Sequence, residues 1–93
     1  MEYTIFEHLQ MPHKGMRFFT TYNETEKDSD WHKIVGHANS VKEAQEICDA
    51  YDENYLPSID DVRNWYIADM GEELAKFEMY NYMFARNSKF MHD

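Results

Sequence analysis

Residues 40–54 read SVKEAQEICDAYDEN, and this stretch decides the fold. Ser40 and Glu43 stand three apart, the spacing of a capping box, in which each side chain satisfies a free backbone N–H near the helix start. Val41, Ala44, Ile47, Cys48 and Tyr51 then recur at helical spacing and predict one buried stripe. Pro57 cannot continue the helix, so it ends near Asn54. The chain changes character across this stretch, from strand-like before it to helical after it.

On the N-terminal side, residues 2–9 are β-branched and aromatic enough for a strand, although Ile5-Phe6 breaks strict alternation. Pro12 and Gly15 bracket a turn. Residues 16–22, Met-Arg-Phe-Phe-Thr-Thr-Tyr, predict a second strand, and residues 31–38 a third. With a period of two, Phe18, Thr20 and Tyr22 share one face of the second strand. In the third strand Trp31, Lys33 and Val35 share one face, and His32, Ile34 and Gly36 the other. The polar loop 23–30 is long for a hairpin and leaves the register open.

On the C-terminal side, Ser58 caps a second helix with Asp60 and Asp61 in its first turn, where the helix dipole favours acids. Ile59, Val62, Tyr66 and Met70 form its apolar stripe, which Leu74 and Phe77 continue and Trp65 and Ile67 widen. Helical pattern persists to about Arg86. One helix over 58–87 would be about 45 Å long, and Gly71 weakens its middle, which predicts a bend or break there. Asn87 to Asp93 reads as a fraying tail. The fold class is α+β: a small antiparallel sheet of two or three strands followed by two or three helices.

Ninety-three residues predict one domain, 1–93. A single cysteine, Cys48, allows no intramolecular disulfide and fits a reducing, cytoplasmic setting. The N-terminus lacks the basic region and apolar run of a secretory signal, and no apolar stretch approaches the roughly twenty residues that span a membrane.

The charge is strongly localised. Glu43, Glu46, Asp49, Asp52, Glu53, Asp60, Asp61, Asp69, Glu72, Glu73 and Glu78 are opposed between positions 43 and 78 only by Arg63 and Lys76. Eleven acids less two bases give −9, the net charge of the whole chain. Such a surface repels nucleic acid and anionic lipid, and attracts proteins that bind nucleic acid. Glu43, Glu46, Asp49 and Glu53 recur along one helix face, roughly 5 Å apart in rise, so they imitate a row of phosphates. The plain alternative is a solvated face that keeps a small protein soluble. The scarcity of neutralising i,i+4 partners leaves repulsion in place at some cost in stability, which favours the functional reading.

Catalytic and metal chemistry find little support. His8, His13, His32 and His37 have no metal-ligand spacing, and 32 and 37 fall on opposite faces of a regular strand. Asp60-Asp61 and Glu72-Glu73 point about 100° apart on a helix, so neither pair is an acid–base dyad. Cys48 sits on the apolar stripe, where thiols are inert packing. No enzyme activity, cofactor or metal is expected. Phe77, Tyr80, Tyr82, Met83, Phe84 and Phe90 cover more than one helix face. A helix with two apolar faces buries both, which predicts either a crowded core or a homodimer through Phe77, Tyr80, Met83 and Phe84.

The acids of 43–78, on a small aromatic-rich chain, resemble the phage-encoded acidic inhibitors that imitate DNA. That group includes antirestriction proteins, some anti-CRISPR proteins and the uracil-glycosylase inhibitor. In size and acidity the chain is most similar to the anti-restriction nuclease proteins of T-even phages. The resemblance implies an inhibitor acting in the host cytoplasm, whose eleven acids of 43–78 occupy the DNA site of a nuclease or another basic DNA-binding protein, without direct nucleic-acid or membrane binding. The alternative is an adaptor that binds a folded protein through its aromatic and methionine surface.

Overall fold

The computed structural model describes residues 2–11, 13–87 and 89–91, Met91 by its backbone alone. The fold is α+β. Strands β1 (Tyr3–His8), β2 (Arg17–Thr21) and β3 (His32–Ala38) precede helices α1 (Val41–Tyr55), α2 (Ile59–Met70) and α3 (Glu72–Asn87), and a two-residue strand, β4 (Phe90–Met91), closes the order. The chain forms two compact units, Met1–Leu56 with Ser88–Asp93, and Pro57–Asn87.

In the first unit the strand order is β3-β1-β2-β4, with β1 antiparallel to both β2 and β3. Ile5 lies opposite Phe19 and Phe6 opposite Phe18. The odd residues of β1 therefore face α1, where Ile5, Phe19, Ala38, Ala44 and Cys48 form the core, with Tyr3, Val35, Ile47 and Phe90 packed around it. On the same face the Arg17 guanidinium lies 3.7 Å from the centre of the Tyr51 ring and helps seat α1. Gly15 closes the β1–β2 turn at φ +92, a conformation glycine adopts without steric cost, and donates to His8. Pro12 of that turn lies outside the described residues.

Strict alternation fails in β3. A register shift between Ile5 and Phe6 inserts a bulge, so Ile34 opposes Phe6 while Gly36 opposes Ile5. Gly36 thus joins Lys33 and Val35 on the core side and does not share the face of His32 and Ile34. His32 and His37, opposite His8 and Thr4, come to lie on the same face instead of opposite ones. One extra residue reverses the side-chain parity beyond it.

Helix α1 begins as its sequence predicts. Ser40 Oγ accepts from Glu43 N at 3.1 Å, and Glu43 Oε2 accepts in return from Asn39 N, one residue before the cap, at 3.1 Å. The C-terminal segment corrects the expectation of a frayed tail. Phe90 pairs in parallel register with Phe19 and stacks on it at 5.0 Å. Lys89 is buried, bonded to Asp49 and 2.7 Å from Asp52. Ser88, His92 and Asp93 lie outside the described residues.

In the second unit, Ser58 Oγ caps α2 by accepting from Asp61 N. The helix stops at Gly71, whose φ of +85 and ψ of 165 belong to a region open essentially to glycine alone. The break rephases the apolar pattern. Val62 of α2 is buried, as are Ala75, Met79 and Tyr82 of α3, whereas Leu74 and Phe77, expected to continue the α2 stripe, are exposed. Arg86 donates to the Pro57 carbonyl at 2.7 Å and ties the two ends of the hairpin.

Candidate functional site

Helix α1 carries five of the eleven acids, and the fold gives them different tasks. Glu46 and Glu53 are exposed and unpaired, while Glu43 is exposed and serves as a cap. Asp49 is exposed at its tip but receives hydrogen bonds from Gln45 and Lys89. The Lys89 ammonium holds the Asp49 carboxyl below the usual carboxylate range, against the upward push of its partial burial. Asp52 departs from the expected exposed surface, since it is 4% exposed and paired with Lys89. The phosphate-like row of Glu43, Glu46, Asp49 and Glu53 therefore contains one locally neutralised member.

The second unit carries the other six acids. Asp61, Asp69, Glu72 and Glu73 are exposed without ion pairs among the described residues, Asp60 is bound to Arg63 at 2.8 Å, and Glu78 is half-buried. With Glu43, Glu46 and Glu53, seven of these eleven acids are exposed and have no cation within ion-pair distance among the described residues. They are divided between the two units, three on α1 and four on the α2–α3 hairpin.

The same hairpin exposes a broad apolar stripe. Phe77, Tyr80 and Phe84 are 72%, 73% and 65% exposed, and Leu74, Met83 and Trp65 are exposed as well. At about 100° per residue Phe77, Tyr80 and Phe84 fall on the side of α3 opposite Ala75, Met79 and Tyr82, with Leu74 at its edge. A groove of about 460 Å³ runs beside this stripe, lined by Arg63, Ile67, Lys76, Met79, Tyr80 and Met83 among others. Both bases of the acidic stretch thus lie along one groove.

Comparison with protein-family models, curated proteins and solved structures finds no match to this chain. What it can do must therefore be read from its own surface.

That surface offers few reactive groups. Cys48 is fully buried, and its thiol is pushed up to about 11, first by burial and then by the Asp52 charge. At one end of the sheet the His8 ring lies 5.6 Å from that of His13 and 5.3 Å from that of His32. Burial, then the neighbouring His32 and His13, lowers His8 to about 4. Among the described residues no group of three or more His, Cys, Asp or Glu side chains is placed to hold a metal ion. Sequence reasoning missed the pairing of Lys89 with Asp49 and Asp52. An i,i+3 acid pair on the helix carries no hint that a lysine about forty positions away will reach it.

Proposed function

We propose that this protein is a non-enzymatic binder of basic proteins, a DNA mimic that occupies the nucleic-acid site of a nuclease or another DNA-binding protein. The seven exposed carboxylates on α1, α2 and α3 that lack an ion-pair partner among the described residues support this reading. Charges left without partners contribute repulsion to the isolated fold, and they become favourable only against a cationic surface. The partner is expected to release DNA when it takes up this protein.

The test is capture of proteins from a host lysate on the immobilised chain, with elution by salt and by duplex DNA. The expected ligands are basic proteins displaced by both. Neutralising Glu46, Glu53, Asp69, Glu72 and Glu73 to the corresponding amides should weaken capture and flatten its salt dependence. Capture that is indifferent to DNA and to these substitutions would reject the mimic reading.

A second reading is favoured by the stripe of Leu74, Phe77, Tyr80 and Phe84. Contiguous exposed aromatics mark protein interfaces. In this reading the chain is an interaction module joined through α3 to a second copy or to another protein, and the acids only solubilise it. Its binding would persist at high salt.

A further inference from the structure

Helix α1 covers one face of the sheet, and the other face carries Thr4, Phe6 and His8 of β1, Phe18 and Thr20 of β2, and His32 of β3. Phe6 and Phe18 stack there with ring centres 5.3 Å apart, and His32 lies edge-on to both. The loop after β2 folds over this face. Asn23 Oδ1 accepts from both the backbone N and the hydroxyl of Thr25, at 3.0 and 2.8 Å, and Glu26 N donates to the Asn23 carbonyl. That turn delivers Glu26 to Thr20, whose hydroxyl donates to Glu26 Oε1 at 3.1 Å. The result is a hollow of about 340 Å³ walled by Phe6, Phe18, Thr20, Asn23, Glu26 and His32, at the lower end of the roughly 300–1,000 Å³ typical of small-molecule sites.

Glu26 Oε2 is shielded from solvent and has no hydrogen-bond partner, and no lysine or arginine lies within ion-pair distance of Glu26 among the described residues. A carboxylate in this position is costly unless a donor meets it. One oxygen is already fixed by Thr20, so the orientation of the group is set in advance. The second oxygen and the aromatic rings ask for a flat cation that donates to a carboxylate and lies against π faces. Guanidinium is planar, weakly hydrated, permanently charged and suited to both contacts, whereas an ammonium is a compact, strongly hydrated point charge. Anions are disfavoured, because among the described residues no lysine or arginine lines the hollow and Glu26 does.

We propose that this hollow binds a guanidinium carried on an alkyl stem, with Glu26 as its anion and Phe6, Phe18 and His32 as its aromatic wall. The chemistry is that of an arginine side chain or of a small free guanidine such as agmatine. The site lies outside the acids of 43–78 and does not depend on the DNA-mimic reading.

The test is an NMR titration of the whole chain at about pH 8, where an ordinary imidazole is neutral, in about 0.3 M salt to screen the general acidity. The probes are agmatine, a short amidated peptide centred on arginine, and the same peptide with citrulline, which keeps the shape and removes the charge. Saturable shifts are expected at Phe6, Phe18, Thr20, Glu26 and His32, with the citrulline peptide at least about tenfold weaker. Glu26→Gln should weaken binding by a similar factor while leaving the remaining spectrum in place. If that variant disturbs the fold, Phe18→Leu, which removes a π face and keeps an apolar side chain, serves in its stead. An arginine peptide binding tighter than agmatine assigns the site to a protein partner; agmatine binding as tightly or better assigns it to a free guanidine. Absence of localised shifts up to about 20 mM ligand, a dissociation constant too weak for a specific site, overturns the proposal. So does equal binding of the citrulline peptide, or a substituted protein that binds as the parent does.

Discussion

Lys89 Nζ lies 2.7 Å from Asp52 Oδ2, and both side chains are withdrawn from solvent. This pair fastens the segment that carries β4 to helix α1, next to the core residue Cys48. Removing one partner leaves a charge buried without its counterion. Lys89→Met should therefore cost about 3–5 kcal/mol and lower the thermal midpoint by more than about 10 °C. The double change Lys89→Met with Asp52→Leu should recover most of the loss, since an apolar pair carries no buried charge. A thermal melt of Lys89→Met within about 2 °C of the parent would show that the pair is not a clasp.

The clasp also has pH limits. Burial opposes the charged Lys89, but hydrogen bonds from its ammonium to Asp49 and Asp52 outweigh burial and raise it above its ordinary value. A raised base contributes stability that is complete below the unfolded value near 10.5 and is lost as pH rises through the folded one. Asp49, held below its ordinary value, contributes stability present above about 3.8 that is lost on further acidification. Denaturant melts in Lys89→Met should show a smaller alkaline loss than the parent, the raised Cys48 thiol still contributing its own part.

His8 governs a separate window. Its folded value is lowered from 6.5 to about 4, so between these limits the unfolded chain binds a proton that the native one refuses. Stability should then fall as pH drops from about 6.5 to about 4, and the His8 contribution should change little above 7. Replacing His8 with Phe should flatten that slope. An NMR titration placing His8 near its ordinary value would contradict the cause.

Gly71→Ala tests the break between α2 and α3. A Cβ at Gly71 meets no atom within 4 Å, so any penalty comes from the backbone conformation and not from a clash. The expected cost is about 1–3 kcal/mol. A variant that relieves the strain by joining the helices should gain helical circular dichroism and lose the bond between Arg86 and the Pro57 carbonyl.

The α3 stripe predicts self-association. Light scattering at micromolar concentration should give a dimer mass that persists in high salt, and Phe77→Glu with Phe84→Glu should give a monomer that remains folded, since both side chains are exposed. A monomer mass for the parent would assign the stripe to a different protein or to none.

Local chemistry made the helical half readable. Ser40, Ser58 and Gly71 act on backbone groups within a few residues of themselves, so caps and the helix break follow from spacing alone. The concentration of acids between Glu43 and Glu78 is likewise a property of the chain. Tertiary structure decided which acids remain available. Asp52 and Glu53 are adjacent and both acidic, yet one is buried against Lys89 and the other faces solvent, because a segment about forty residues away returns to α1. The bulge in β3 that brings His32 and His37 to one face is set by pairing with β1, and strand parity read from one strand cannot register it. Glu26 stands in a polar loop without any local mark. It becomes a carboxylate with one oxygen shielded beside aromatic rings only when β1, β2 and β3 pair, because burial and ion pairing are properties of contacts between distant residues.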